Sequence, residues 1–109
     1  MSYNIIAVPT FRKELKKLAK KYSSLKTDLA QLFEILEDNP IQGTPLGRNC
    51  YKIRLAIGSK RKGKSGGARI ITHFVIAEDT VFLISIYDKS EKEILTDKEL
   101  TELLKQVFE

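Results

Sequence analysis

The stretch ARIITHFVIAEDTVFLISIYD, residues 68–88, decides the fold. Two segments within it, Ala68 to Ala77 and Thr80 to Asp88, are rich in β-branched and aromatic residues, which favour extended strands. The Glu78-Asp79 pair between them predicts a tight turn, so the two strands form an antiparallel hairpin. Upstream, Cys50 to Ile57 predicts another strand and Tyr3 to Val8 a short first one.

Three apolar stripes at helical spacing surround these strands. They comprise Phe11, Leu15, Leu18 and Tyr22; then Leu25, Leu29, Leu32, Phe33 and Leu36; and finally Leu100, Leu103, Leu104 and Val107. Thr10 is the predicted N-cap of the first helix, and Thr96 with Glu99 fits a capping box before the third. Residues 41–49 and 58–67 contain glycine and predict loops.

The predicted order of elements is therefore β-α-α-β-β-β-α. Grouped strands favour an α+β fold, with a mainly antiparallel four-stranded sheet and the helices packed on one face. A chain of 109 residues has room for one domain, and we assign residues 1–109 to it.

Charge is distributed unevenly along the chain. Residues 1–70 carry fifteen basic and five acidic side chains, whereas residues 71–109 carry four and nine. A basic body indicates an anionic partner, with nucleic acid the first candidate. No apolar run is long enough to span a membrane, the first residues lack a secretory pattern, and a single cysteine excludes a disulfide within the chain. We expect a cytoplasmic protein that does not bind membranes.

One motif in the sequence would indicate a nucleotide-binding site. Residues 58–65, GSKRKGKS, match the phosphate-loop pattern G-x-x-x-x-G-K-S. That loop needs a following helix, because the helix N-terminus supplies amide donors to the phosphates. Here two glycines and the β-branched run from Arg69 follow, which predicts a strand. We therefore reject a nucleotide-binding site.

What remains is a cluster of cations at strand ends. Lys52 and Arg54 are two residues apart on one strand and share a face. Other members of the cluster are Arg69, Tyr87 and Lys89 at strand ends, and Lys60, Arg61, Lys62 and Lys64 in the basic loop. Antiparallel pairing can bring such ends together. We expect the loop, whose glycines allow close approach to a phosphate chain, to contact nucleic acid.

These residues resemble the RelE toxin superfamily. The resemblance is carried by Lys52-Ile53-Arg54-Leu55, by the Gly-Lys-Ser-Gly-Gly-x-Arg stretch from Gly63 to Arg69, and by residues 83–91, LISIYDKSE. The basic loop and the Ile-Tyr-x-Lys ending are most similar to the HigB branch. The order of elements matches over nearly the whole chain.

The resemblance implies the toxin of a type II toxin–antitoxin system. Such toxins are endoribonucleases that enter the ribosomal A site and cut messenger RNA there, without a metal or another cofactor. The implied partners are the ribosome, its messenger RNA, and an antitoxin, commonly one with a helix-turn-helix DNA-binding domain. The alternative is a ParE-type toxin, which poisons DNA gyrase by binding and has no nuclease activity.

Metal-free RNA cleavage uses the 2′-hydroxyl as nucleophile and needs a base, an acid and cations for the phosphorane. The chain has one histidine, which excludes a two-histidine mechanism within a monomer. A lysine or tyrosine can transfer protons instead, if surrounding positive charge lowers its pKa.

The resemblance assigns roles to particular residues. Arg69 would stabilise the transition state. Lys52 and Arg54 would contact phosphate, with Lys52 alternatively a base. Lys89 would bind phosphate or act as the acid, and Tyr87 would stack on a base or transfer a proton. A tyrosine that stacks on a base in some relatives falls near Leu95 here, which leaves the acid and base open.

Two further features have ordinary structural interpretations. His73 is predicted to be a hydrogen-bonded residue of the sheet face, although it shares strand parity with Arg69. Cys50 is predicted to be a small residue at a strand edge.

The basic face of the first helix would be solvated or would meet ribosomal RNA; it carries Lys13, Lys16, Lys17 and Lys20.

Overall fold

Five β-strands and three α-helices form the regular structure of the part of the chain that the computed structural model describes, residues 2–61, 63, 66–92 and 94–108. In chain order they are β1 (Asn4–Ala7), α1 (Pro9–Lys21), α2 (Leu25–Asp38), β2 (Thr44–Gly47), β3 (Cys50–Leu55), β4 (Ala68–Val75), β5 (Thr80–Asp88) and α3 (Asp97–Phe108). The predicted α+β class is confirmed.

The strands form one mixed sheet in the order β1-β5-β4-β3-β2. Strand β1 runs parallel to β5, and the other three pairings are antiparallel. The sheet thus has five strands, and the expected count of four was wrong. The additional strand is β2, whose Pro45 and Gly47 indicated a loop. An edge strand tolerates proline because one side of it forms no ladder hydrogen bonds.

The helices cover both faces of the sheet, so the expectation of one covered face was wrong. Tyr22, at the end of α1, donates a hydrogen bond to Asp88, which pairs with Ala68. The ring of Phe108 at the end of α3 contacts His73 with 5.4 Å between centroids. Positions 68 and 73 on β4 point to opposite faces because side chains alternate along a strand. Covering on both sides explains why β4 is buried from Ala68 to Phe74.

Helix boundaries follow local chemistry. Helix α1 begins at Pro9 after Val8, so Thr10 is not its N-cap. Proline suits the first helical position because its fixed φ fits and its missing N–H needs no partner there. The capping box before α3 is confirmed, because the Glu99 N–H donates to Thr96 Oγ1 at 3.1 Å and the Thr96 N–H donates to Glu99 Oε1 at 3.2 Å.

The end of the basic loop requires glycine. A Cβ on Gly67 would lie 2.0 Å from the backbone oxygen of Leu55, too close for any side chain. Strand β4 starts at the next residue, Ala68. A strand therefore follows the GSKRKGKS segment, which agrees with our rejection of a phosphate-loop site.

The core lies on both sides of the central strands. Its largest fully buried side chains come from the two N-terminal helices (Phe11, Leu25, Leu29, Leu36), the segment after β3 (Ile57), and strands β4 and β5 (Ile70, Ile71, Thr72, Val81, Leu83, Ile84, Ile86). Within the described ranges, no helix combines the length and the apolarity that crossing a membrane requires.

Candidate active site

Strand pairing brings three of the predicted site residues into one row. Arg54 on β3 lies opposite Arg69 on β4, and Arg69 lies opposite Tyr87 on β5. Directly paired side chains share a face, with Cβ atoms about 4.5–5.5 Å apart. The sequence predicted these residues individually, and the register makes them neighbours. We call this set the cross-strand row.

Arg69 is the buried centre of the row, with 5% of its surface exposed. One guanidinium nitrogen donates to the Ala68 carbonyl at 3.1 Å. Burial and the charge of Arg54 lower the pKa of Arg69, with Tyr87 acting in the opposite sense. Arginine nevertheless stays protonated in proteins. Two adjacent cations, one of them largely removed from water, make this position favourable for an anion.

Tyr87 is buried, with 7% of its surface exposed, and its hydroxyl has no hydrogen-bond partner among the described residues. Buried polar groups are nearly always paired, and an exception calls for an explanation such as a catalytic role. Burial raises the pKa of Tyr87, and the charge of Arg69 only partly opposes this. The expected lowering of a tyrosine pKa by crowded charge was therefore wrong for Tyr87. The hydroxyl keeps its proton near neutral pH and can donate it.

Two predicted lysines flank the row. Lys52 is two residues before Arg54 on β3 and is paired with Ile71, so it belongs to the next row of the same face. Lys89 follows β5 directly, and its backbone N–H donates to the Gly67 carbonyl at 3.1 Å. Both side chains are partly exposed. The face thus offers cations on either side of Arg69.

His73 lies apart from the row. It shares the face of Arg69 but is four residues further along β4, roughly 13 Å at strand spacing. The ring is 6% exposed, contacts Phe108, and has its Nδ1 3.5 Å from the Cys50 sulfur. Burial lowers the pKa of His73. The imidazole therefore packs under α3, in agreement with a structural role.

Comparison with known proteins identifies this architecture. A family model described as the RelE toxin of the RelE/RelB toxin–antitoxin system matches residues 10–107. The chain belongs to the RelE toxin family. Every residue of the cross-strand row falls within the matched range.

Solved structures agree with the assignment. A mutant of the E. coli toxin RelE in the free state covers 98% of this chain and 99% of its own, with 21% identity and a TM-score of 0.63. The RelBE2 toxin–antitoxin complex from Mycobacterium tuberculosis matches with 20% identity, 81% and 99% coverage and a TM-score of 0.59. An E. coli RelE mutant in complex with an antitoxin RelB peptide matches with 28% identity, 87% and 100% coverage and a TM-score of 0.55. The chain is accordingly the toxin of a type II toxin–antitoxin system.

The basic loop of this RelE-family toxin does not offer all its predicted cations. The Lys60 ammonium lies 2.6 Å from the carboxylate of Asp88, with 10% of the side chain exposed. We therefore remove Lys60 from the set of proposed RNA ligands. Arg61 is exposed. Lys62 and Lys64 lie outside the described residues.

Helix α1 of the toxin has the basic surface that the sequence predicted. Its four lysines, Lys13, Lys16, Lys17 and Lys20, are all exposed. A shallow groove of about 520 Å³ runs beside them and is lined by Arg12, Leu15, Lys16, Ala19, Lys20, Ser23 and Lys26. Cations over an open groove suit a phosphate backbone better than a small ligand.

Two carboxylates escaped prediction. Glu14 accepts hydrogen bonds from the Ser85 hydroxyl at 2.9 Å and the Ile86 N–H at 3.2 Å, which satisfies backbone at the edge of β5. Burial raises the pKa of Glu14. The signal for Glu14 in the sequence was its place as the single acid of an otherwise basic helix. The second carboxylate is Asp88, for which the sequence gave no such signal. In the described part of the chain, no three His, Cys, Asp or Glu side chains are grouped as a metal site requires.

Proposed function

We propose that this RelE-family toxin is a ribosome-dependent, metal-independent endoribonuclease that cuts messenger RNA in the ribosomal A site and so inhibits translation. The observation that carries the proposal is the cross-strand row, in which a buried arginine lies between a second arginine and a protonated tyrosine. Such a protein acts in the cytoplasm, where ribosomes are.

The row supplies cations for the phosphorane and an acid for the leaving oxygen, and the lysines beside it supply the remaining parts that the reaction needs from the protein. Attack of the 2′-hydroxyl on the adjacent phosphorus builds negative charge on the phosphorane oxygens. Arg69 and Arg54 stabilise that charge from fixed positions, and a fixed cation stabilises more than mobile water does. Lys89 binds a neighbouring phosphate. Lys52, on the other side of the row, binds phosphate or, in its alternative role, takes the proton of the attacking 2′-hydroxyl as the base.

Tyr87 protonates the leaving 5′ oxygen in this proposal. Its hydroxyl is buried next to Arg69, carries a proton at neutral pH, and has no partner among the described residues. General acid catalysis needs a donor within hydrogen-bond reach of the leaving group. The Arg69 side chain fixes the phosphate, which brings the leaving oxygen toward Tyr87.

We further propose two macromolecular contacts. The exposed lysines of α1, together with Arg61, meet ribosomal RNA. A cognate antitoxin binds this chain, as antitoxins bind the RelE proteins in the solved complexes.

The test is mapping of 5′ ends on a translated messenger RNA in a reconstituted translation system. Arg69→Ala is expected to lower cleavage by about 10²–10³-fold, the usual effect of removing a group that stabilises transition-state charge. His73→Ala is the matched control, since it removes a buried basic side chain from the same strand and face but outside the row. It is expected to leave cleavage within about twofold of the wild type.

Three results would count against the proposal. Cuts that persist without ribosomes contradict ribosome dependence. Equal losses in Arg69→Ala and His73→Ala show that the effect is structural. Intact messenger RNA with folded wild-type toxin favours a gyrase-directed binder, for which supercoiling is the assay.

A further inference from the structure

A buried carboxylate lies directly behind the cross-strand row. Asp88 follows Tyr87 in the chain, points to the opposite face, and has a fully buried side chain. Its Oδ1 accepts from the Lys60 ammonium at 2.6 Å and from the backbone N–H and hydroxyl of Ser90 at 3.0 and 2.8 Å. Its Oδ2 accepts from the Tyr22 hydroxyl at 2.5 Å. Every one of these partners comes from outside the sheet.

Asp88 stays ionised in this setting. Burial alone would raise its pKa, but the hydrogen bonds from Lys60, Tyr22 and Ser90 outweigh burial and hold the pKa well below the usual range. A buried charge of this kind is tolerated only when several donors satisfy it. The network is therefore a rigid joint between α1, the basic loop and the end of β5.

The end of β5 holds both ends of the basic loop. Asp88 binds Lys60 near the start of the loop, and the N–H of Lys89 binds the carbonyl of Gly67 at its end. The last residue of β5 and the residue directly after it thus fix the points where the loop leaves and re-enters the fold. Tyr87 directly precedes Asp88, and Arg69 is two residues after Gly67.

The N-cap and first turn of α2 hold the first arm of the basic loop, residues 58–60, from the other side. The Gly58 N–H donates to Asp28 Oδ2 at 3.0 Å, and the Ser59 N–H donates to the Ser24 hydroxyl at 2.7 Å. Ser24 itself donates to Asp28 at 2.8 Å. The segment from Gly58 to Lys60 is consequently attached to the helical layer and to the sheet at once.

We propose that Asp88 is a positioning residue, which holds the first arm of the basic loop next to the cross-strand row through Lys60 and thereby sets the affinity of the toxin for its RNA substrate. The proposal rests on the proposed nuclease function. Asp88 does not touch the RNA, and Lys60 acts through Asp88 and not as a phosphate ligand.

Simple electrostatics makes the opposite prediction. Asp88→Asn removes one negative charge from a protein of net charge +5 and releases the Lys60 ammonium. If charge alone governed binding, the variant would bind RNA more tightly. If Asp88 positions the loop, the variant binds RNA more weakly. The sign of the change therefore separates the two.

The experiment compares steady-state cleavage of ribosome-bound messenger RNA by the wild type, Asp88→Asn, Lys60→Gln and the double variant. We expect KM to rise about tenfold in each single variant, a change worth about 1.4 kcal/mol. We expect kcat to stay within about twofold, since Arg69 and Tyr87 keep their strands. The double variant is expected to match the single ones because both act through one ion pair. Asp38→Asn, at an exposed acid ending α2, is the charge-matched control and should leave KM unchanged.

Hydrogen exchange of the backbone amides tests the anchoring without activity. In Asp88→Asn, amides of residues 58–61 are expected to exchange about tenfold faster or more, while those of β4 keep their protection. If Asp88→Asn fails to fold, exchange at residues 58–61 is compared in Lys60→Gln, which removes the ion pair but leaves the donors from Tyr22 and Ser90 to the carboxylate.

The outcomes separate the two proposals. Lower KM in Asp88→Asn, or unchanged exchange at residues 58–61, overturns the positioning role while cleavage by the wild type stands. No cleavage by the wild type overturns the nuclease, and the exchange result then still decides whether Asp88 anchors the loop. Strictly additive losses in the double variant would show that Lys60 contacts RNA by itself.

Discussion

The Tyr87 hydroxyl, which has no hydrogen-bond partner among the described residues, should cost stability and support activity. Its oxygen is buried with no hydrogen-bond partner in the described part of the chain, so Tyr87→Phe removes a desolvated polar group and leaves the ring in place. An unsatisfied buried group costs about 1–3 kcal/mol. Taking the lower end, we expect the free energy of unfolding to rise by about 1 kcal/mol, which is about 4–8 °C in Tm for a domain of this size.

Cleavage should change in the other direction. A positioned general acid contributes about 10²–10⁴-fold to the rate. Tyr87→Phe is therefore expected to lower kcat by about a hundredfold or more, although the protein becomes more stable. The assays are urea denaturation followed by circular dichroism and single-turnover cleavage on ribosomes.

Tyr22→Phe is the matched control, for which we expect the free energy of unfolding to fall and not to rise. The Tyr22 hydroxyl donates to the buried Asp88 carboxylate at 2.5 Å. Its removal should lower the free energy of unfolding by about 1.5–3 kcal/mol, the usual worth of a hydrogen bond to a charged group. A destabilised Tyr87→Phe would show that its hydroxyl has a structural partner. An unchanged kcat would remove Tyr87 from the chemistry.

The surface lysines, Asp88 and Cys50 support three other predictions. Glutamine at the four exposed α1 positions (Lys13, Lys16, Lys17 and Lys20) should weaken the salt dependence of ribosome binding. The slope of log K against log salt concentration should become less steep by about 0.7–0.9 for each phosphate that is no longer neutralised. Glutamine at the exposed Lys98 and Lys105 of α3 should leave that slope unchanged. Because the folded pKa of Asp88 is depressed, its stabilisation is complete above the unfolded value of about 3.9 and is lost as pH falls below it; urea titrations at pH 3 to 7 should show a flatter dependence for Asp88→Asn. Burial raises the pKa of Cys50 to about 11, so iodoacetamide at pH 8 should label the native protein far more slowly than the urea-unfolded one.

Local structure was largely readable from the sequence. The apolar stripes placed α1 and α2, and the Thr96–Glu99 pair placed the start of α3. Near-neighbour hydrogen bonds and helical periodicity fix these features, so a short window of sequence contains them. The cations of the row were also found, because residue types and strand parity are local properties.

Features that depend on distant pairings were missed. Pro45 and Gly47 predict a loop where the structure has β2. A strand tolerates these residues at a sheet edge, and the local sequence does not show that this segment lies at an edge. The face that α3 covers and the parallel pairing of β1 depend on how the layers assemble. No local pattern encodes them.

The sequence by itself determined which residues carry charge and which segments form strands and helices. The tertiary structure alone decided how those charges are used. It buried Tyr87 and so raised the pKa of that residue, paired the Lys60 ammonium with the Asp88 carboxylate, and set Arg69 between Arg54 and Tyr87. The physical reason is that desolvation and ion pairing depend on distance and burial, which residues far apart in the chain create only when they fold together.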